Sequence, residues 1–412
     1  MYFLLYIYNF DKSYVKDLSY THDTYTVEND CYVRIIMKYS TEQTITNNDD
    51  IEDLVSNLYC SIIPAEDISS NEIAISNVVI PTYYNTQLSN AKDNIIANSF
   101  NTGSHGTNFI FMADLHWQSN IKISPILVKN IVDHTPVNKI LIGGDLIGGS
   151  TNKMTEIKRM YDCVSSYSKI TDAYITFGNH NSNRIGTTEE TDRFNKSQVY
   201  SLTQSFLQNN NVNYGYPLVY CDSSMGQCLY YYFDDIGTNT RFICLDSDQG
   251  STMSTAQNTW LTSILNTAPD NYHFIIFAHI LYDTSTSWHV GLEPSELIKS
   301  NFLISLESIV DTFNANNNTK KVEAMFGGHV HIDYDFKTPG GILIVLTDTD
   351  SAQTFTTYVD ENDNNTVKRN HIAGTITECA FDAVNINYET KTIKCVRIGR
   401  GENRTISCDT TT

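Results

Sequence analysis

Five short polar blocks, each closing an apolar strand-like run, limit the possible folds of this chain more than any other feature. They are Met112-Ala113-Asp114-Leu115-His116, Gly143-Gly144-Asp145, Gly178-Asn179-His180, Phe277-Ala278-His279 and Gly327-Gly328-His329-Val330-His331. Open α/β sheets collect ligands outside the carboxyl ends of their strands, so polar residues at five strand ends point to one such sheet system and one shared site. Taken singly, each block is bland: Gly-Asp is usually a turn, and a histidine after an apolar run is more often a satisfied core residue. Five of the eleven histidines fall inside these blocks, however, and the blocks recur at equivalent positions. Imidazole, carboxylate and amide donors in these proportions suit a pair of cations such as manganese, iron or zinc. The absence of thiolates argues against a closed structural zinc site.

Spacing suggests how the donors are shared. Alternation along a strand would put Asp114 and His116 on one side, and His329 with His331 likewise, so each pair could grip one ion. Asp145 is the expected bridge, offering one oxygen to each of two cations roughly 3.5–4 Å apart, a separation that clamps the attacking and leaving oxygens of a phosphoryl group. Asn179 adds an oxygen without adding charge. His180, facing elsewhere, is left to act as a proton donor. These residues read as a two-metal hydrolase of phosphoesters.

The ordered blocks D-x-H, G-D, G-N-H, H and G-H-x-H resemble the signature of the calcineurin-like metallophosphoesterases, over residues 106–412. The resemblance implies Asp114, His116, Asp145 and His331 around one metal, Asp145, Asn179, His279 and His329 around the other, and His180 as general acid. The run Gln257-Asn258-Thr259-Trp260-Leu261 is also similar to the family, with Trp260 read as packing. Two departures stand out. Asn181 occupies a position where the family often has an acidic residue to orient the histidine. In addition, Gly144-Asp145-Leu146-Ile147-Gly148-Gly149 lacks the arginine of the protein Ser/Thr phosphatases, and Gly148 stands where purple acid phosphatases carry tyrosine. A diester is therefore the expected substrate, with Arg184 as a minority candidate for gripping a dianion. His289 and Asp333 lie near the blocks without an assigned role.

Periodicity places strands near 109–114, 139–144, 173–177, 240–245, 272–278 and 322–327, alternating with helices near 124–134, 152–168, 197–209, 255–267 and 295–315. Further strands are expected at Gly341–Leu346, Ala380–Ile386 and Thr392–Ile398, and a surface loop at Asp360–Asn370. The fold class is α/β, a four-layer α/β/β/α sandwich with the metal centre at one end. Residues 1–80 read as a small β-rich module, a partial sandwich around Cys31–Tyr39 that neighbouring subunits would complete in a homo-oligomer. Residues 81–105 read as a connector helix, with Leu88, Ala91, Ile95 and Ile96 at helical spacing as compatible with packing on the catalytic domain as with trimer formation. The catalytic domain follows over 106–412.

Charged residues make up 18% of the chain and tyrosine is abundant at 26 residues, a polar but sparsely charged composition common in extracellular and virion proteins and also produced by a low-GC genome. A net charge of −20 argues against general nucleic-acid binding, which needs a basic face. The nine cysteines form no C-x-x-C pair and read mostly as buried thiols, with a Cys221–Cys228 bridge as the minor alternative. The apolar start Met1–Tyr8 lacks a basic region and a cleavage site, so no signal peptide is expected, and no stretch is long enough to span a bilayer. The segment Phe109–Trp117, the β-rich leader and the closing Arg397–Gly401 resemble phosphoesterase modules of bacteriophage tail proteins and gut bacteria. That resemblance implies a virion-attached phosphodiesterase with tail subunits as partners, acting on phosphodiester-linked surface polymers or lipids. The alternative it leaves is a structural or receptor-binding tail component that keeps the fold; a cytoplasmic location is the alternative to the virion.

Overall fold

The computed structural model describes residues 2–9, 14–20, 31–38, 79–100, 103, 105–117, 123–183, 193–196, 198–200, 220–221, 229–247, 250–284, 297–351, 358–359, 366–367, 371–372 and 374–407. Contacts divide the chain into two compact units, Met1–Asn77 and Val78–Thr412. In the first, β1 (Tyr2–Asn9), β2 (Tyr14–Tyr20) and β3 (Cys31–Lys38) form an antiparallel sheet of order β2-β1-β3. The apolar start of the chain is thus its central strand, and the strand expected at Cys31–Tyr39 is β3. The rest of the partial sandwich expected for residues 1–80 lies outside the described residues.

The second unit runs α1 (Asn85–Asn98), β4 (Gly106–Met112), α2 (Ser124–His134), β5 (Lys139–Ile142), α3 (Lys153–Ser168), β6 (Asp172–Ile175), β7 (Tyr220–Cys221), β8 (Tyr231–Asp235), β9 (Thr240–Cys244), α4 (Thr255–Thr267), β10 (His273–Phe277), β11 (Tyr282–Thr284), β12 (Leu297–Lys299), α5 (Asn301–Asn316), β13 (Lys321–Gly327), β14 (Tyr334–Lys337), β15 (Leu343–Leu346), β16 (Tyr358–Val359), β17 (Thr366–Val367), β18 (Ala380–Asn387), β19 (Thr392–Gly399) and β20 (Arg404–Ser407). Side-chain caps start three of its helices: Asn152 accepts from Thr155 N, Ser254 from Gln257 N and Ser300 from Leu303 N. The expected helix at 197–209 falls largely outside the described residues, as do Arg184, His289, Cys228 and most of 360–370. Cys163, Cys244, Cys379 and Cys395 are buried. Among the described residues no helix is long and apolar enough to cross a membrane.

Two mixed sheets carry these elements, one of order β20-β19-β18-β4-β5-β6 and one of order β14-β15-β13-β10-β9-β8-β7. They pack face to face. Phe109 and Phe111 of β4 meet Phe242 and Phe326 across the gap, with Phe109 edge-on to both at centroid distances of 5.5 and 5.3 Å. Strands buried on both faces read as unbroken apolar runs, which is why β4, β5 and β9 show no alternation. Helices α4 and α5 cover the outer face of the seven-stranded sheet through Leu261, Leu265, Phe302, Leu306 and Val310. Parallel pairing of β4-β5-β6 and of β9-β10-β13-β15 makes the carboxyl ends of these strands emerge together within each sheet. The expected four-layer α/β/β/α architecture is the observed one.

Helix α1 packs on β18 and β19 of the second unit. Leu88, Ala91 and Ile95 are buried along one face together with Tyr84 just before it, while Ile96 is exposed. The Gln87 amide donates to Gly399 O and accepts from Gly399 N, both at 3.0 Å, which fixes the helix against the end of β19. A chain truncated to begin at Val78 is therefore expected to fold, whereas one beginning near residue 100 should melt at lower temperature. Leu88→Ala in the full chain should cost about 2–5 kcal/mol. Thermal or urea unfolding of the three proteins checks this, and equal stability of the two truncations would assign α1 to the leader.

Candidate metal centre

The five blocks sit in the loops that leave β4, β5, β6, β10 and β13, and those loops are stitched together by backbone hydrogen bonds. Asp114 N donates to Gly144 O (3.1 Å), His116 N to Asp145 O (2.9 Å) and Gly328 N to His279 O (3.1 Å). Strand alternation does not align the D-x-H and H-x-H pairs, because β4 ends at Met112 and β13 at Gly327, before the donors begin. Instead Asp114 (φ 53°), His116 (φ 41°), Asp145 (φ 48°), His329 (φ 74°) and His331 (φ 54°) take the left-handed conformation that side chains other than glycine seldom adopt. Each such residue costs of order 1–3 kcal/mol and persists only where its surroundings over-determine it, a condition met mainly at functional sites.

All eight residues singled out in the sequence converge. His331 Nε2 lies 3.2 Å from both Asp114 Oδ1 and His116 Nε2. His279 Nε2 lies 3.1 Å from both Asp145 Oδ2 and Asn179 Oδ1, and 3.8 Å from Asp114 Oδ1. Ligand atoms come within 4.8 Å of one another in three groups: Asp114, His116 and His331; Asp145, His279 and His329; and His116, Asp145 and His180. Each carboxylate has one oxygen tied down by the backbone of a distant block, Asp145 Oδ1 by His180 N and Asp114 Oδ2 by His329 N, both at 2.8 Å. The other oxygen faces the cluster. Asp145 Oδ2 lies 3.1 Å from His279 Nε2 and 3.8 Å from His180 Nε2, while Oδ1 accepts the His180 backbone bond.

The donor set fits cations. Asp114 Oδ1 is fully buried and makes no hydrogen bond, although His331 Nε2 stands at ion-pair distance. Burial alone would raise the carboxyl groups of Asp114 and Asp145, but the imidazoles beside them outweigh it and hold both below the usual carboxylate range. Burial would likewise depress His279, yet Asp145 and Asp114 lift it to about 9, while burial and the nearby His331 push His116 down to about 3. Two ionised carboxylates thus draw positive charge onto a buried imidazole. His279 Nδ1 is 2.7 Å from Gly143 O, and a carbonyl only accepts, so Nδ1 carries a proton and Nε2 is aimed at the cluster as a ligand nitrogen.

His180, in the turn Asn179–Ser182, is the most exposed of these histidines, with 22% of its side chain accessible against 15% for His331. Its Nδ1 donates to Gly148 O at 2.7 Å, its Nε2 is 3.8 Å from Asp145 Oδ2, and its ring packs edge-on against His116. The Gly148 carbonyl, and not Asn181, thus orients the ring. Asn181 Oδ1 instead accepts from Leu146 N (3.2 Å) and Gly178 N (3.3 Å), stapling the second block to the third. Sequence reasoning missed both the Gly148 carbonyl and Asp283, whose Oδ1 lies 3.6 Å from His329 Nε2, because neither sits in a motif. Gln257 grips the backbone of Asp246 through both amide atoms at 2.9 Å, and Trp260 packs on Tyr230, in keeping with a packing role.

A family model described as "Calcineurin-like phosphoesterase" matches residues 107–333, over half of the chain. No curated protein matches by sequence. Among solved structures, a dimetal phosphatase from Danio rerio is similar at 14% identity and TM-score 0.47, covering 73% of this chain and 99% of that one. A purple acid phosphatase from yellow lupin (Lupinus luteus) seeds is similar at 12% identity and TM-score 0.46, covering 76% of this chain and 55% of that one.

The glycines of the blocks supply a test of the centre. A Cβ at Gly178 would lie 2.2 Å from Asp145 Oδ1, and one at Gly328 would lie 2.5 Å from Asp114 Oδ2. Gly178→Ala and Gly328→Ala are expected to cost about 1–3 kcal/mol by overpacking. Both should displace a donor carboxylate and so lower bound metal measured by elemental analysis after dialysis. Full metal content in both variants would count against a centre built on these two acids.

Proposed function

The chain belongs to the calcineurin-like phosphoesterase family, and on that premise we propose that it is a dinuclear-metal-dependent hydrolase acting on phosphodiesters. Asp114, His116, Asp145 and His331 would hold one ion, and Asp145, Asn179, His279 and His329 the other, with manganese, iron or zinc compatible with these donors. When bound, the two ions supply Lewis-acid neutralisation of the phosphoryl oxygens and lower the pKa of water towards neutrality. The observation that carries the reading is the convergence of two carboxylates, one amide and four imidazoles from five separate strand ends. Their carboxylates are already locked by backbone N–H groups, so the centre needs little rearrangement to bind.

His180 is the proposed proton donor to the leaving oxygen. It forms part of the third donor group, but the other two groups already use both acids and four imidazoles, and His180 stands at the accessible side of the cluster. Its Nδ1–H bond to Gly148 O leaves Nε2 as the nitrogen that hands over a proton. Asn179 keeps the centre positive by adding an oxygen without charge.

Preference for a diester is supported by Gly149, which stands where the protein Ser/Thr phosphatases have their arginine. It has φ +63°, and a Cβ there would be 2.5 Å from His180 O, so this position has no room for a side chain that grips a phosphomonoester dianion. We further propose virion attachment through the N-terminal unit and phosphodiester-linked surface polymers or lipids as targets, a reading supported by the antiparallel leader sheet and the sparsely charged composition. A purely structural or receptor-binding role would give no reason for the complete donor set.

Two metal ions per chain are expected by elemental analysis, with chelation abolishing turnover of a bis(nitrophenyl) phosphate and the corresponding monoester turning over more slowly. His180→Ala should keep both ions and lose roughly two to four orders of magnitude on an alkyl diester while sparing the nitrophenyl diester, whose leaving group needs little protonation. Equal losses on both diesters would instead place His180 in phosphate positioning.

A further inference from the structure

Behind the metal-bearing loops lies a buried ionic network in which Arg397, on β19, is 2% exposed. Its guanidinium donates from Nε to Asp382 Oδ1 (2.9 Å), from Nη2 to Asp382 Oδ2 (2.8 Å) and to Asp333 Oδ1 (2.5 Å), and from Nη1 to Asp333 Oδ2 (2.9 Å). Nη2 also reaches the Thr347 hydroxyl at 3.3 Å, which in turn donates to Asp382 Oδ2 at 3.0 Å. Two forks on two carboxylates fix the guanidinium in plane and direction, a geometry that the point charge of lysine does not reproduce.

Both ends of this brace lead to metal donors. Asp333 is two residues beyond His331 and also accepts from Asp348 N at 3.0 Å, so it ties the H-x-H loop to the segment after β15. That segment, beginning at Thr347, holds the first block: the Thr349 hydroxyl donates to Asp114 O at 2.6 Å and Asp350 N donates to Ala113 O at 3.0 Å. Asp114 and His331, whose donor atoms lie 3.2 Å apart, are therefore set against each other by hydrogen bonds that run from Asp333 to the Thr347–Asp350 segment by two routes, directly from Asp348 N and through the Arg397 guanidinium to Thr347. His279, Asn179 and His329 are outside both routes, apart from the bond from His329 N to Asp114 Oδ2.

We propose that Arg397 is a positioning residue for one of the two ions, setting the spacing of Asp114 and His331 through Asp333 and the Thr347–Asp350 segment. The proposal rests on the two-ion reading above. Loss of an outer partner of a metal ligand typically weakens metal affinity by about 10–100-fold, and here the loss should fall on the ion held by Asp114 and His331 and spare the other.

The test is calorimetric titration of metal-free full-length protein with manganese(II) for the wild type, Arg397→Lys and Thr349→Val. Thr349→Val removes only the hydroxyl link to Asp114 and leaves every buried charge paired, so it stays informative if Arg397→Lys does not fold. Arg241→Lys serves as a control for general destabilisation, since Arg241 forks onto Asp234 at 2.7 and 2.8 Å away from these loops. The expected result is two sites in each protein. In Arg397→Lys and Thr349→Val, one site is weakened at least about tenfold and the other stays within about twofold, while Arg241→Lys lowers the melting temperature with both affinities unchanged. Wild-type protein that binds two ions, with Arg397→Lys and Thr349→Val unchanged or weakened equally at both sites, overturns the positioning role alone. Wild-type protein that binds fewer than two overturns the two-ion reading and this inference with it.

Discussion

Placing two carboxylates and four imidazoles out of water in one small volume is the constraint on which the rest of the structure depends. An ionised carboxylate taken from water without compensation is among the most unfavourable groups a protein can bury. Here each acid is met twice, by a backbone N–H of a distant block on one oxygen and by imidazole on the other. The backbone bonds matter because they come from loops that themselves carry donors. The loop that presents His180 also clamps Asp145, and the loop that presents His329 also clamps Asp114, so donors and scaffold are the same residues.

That arrangement needs the loops to approach closely, and the sandwich provides it. Parallel strands in both sheets send their carboxyl ends to the donor loops, and the aromatic layer between the sheets, with Phe109 meeting Phe242 and Phe326, keeps the two sets of strands in fixed register. A close-packed interior of this kind resists small displacements, which is how strained left-handed residues at Asp114, His116, Asp145, His329 and His331 can persist together. Glycines preceding the donors have a steric role here: at Gly178 and Gly328 a side chain would occupy the space of the Asp145 and Asp114 carboxylates. Behind the centre, the ionic network around Arg397 continues the same logic, since its guanidinium is matched by Asp382 of β18 and by Asp333, two residues beyond His331.

His180 shows how a departure from a family pattern can be absorbed. An acidic residue after G-N-H would orient the imidazole and stabilise its charged form. Asn181 does neither, turning inward to hold Leu146 and Gly178, and the Gly148 carbonyl takes over the orientation. A carbonyl dipole supports an imidazolium less than a full negative charge would, while still fixing which nitrogen faces the cluster.

Much of this was legible in the residues themselves. The polar residues that converge, their order and the alternation of strand and helix are local properties, set by side-chain chemistry and hydrophobic period, so the cluster of Asp114, His116, Asp145, Asn179, His180, His279, His329 and His331 and strands such as Lys139–Ile142 and His273–Phe277 could be expected from the sequence. Pairing of distant segments could not. The helix at Asn85–Asn98 had a readable apolar face, but only the folded chain decided that β18 and β19 cover it. Strand alternation was a sound local rule wrongly extended past Met112 and Gly327, where left-handed backbone takes over because hydrogen bonds between loops outweigh the preference of each residue alone. The roles of the Gly148 carbonyl, Asp283 and Arg397 likewise depend on partners 32 to 64 residues away, and no local pattern encodes which carbonyl or carboxylate a distant side chain will meet.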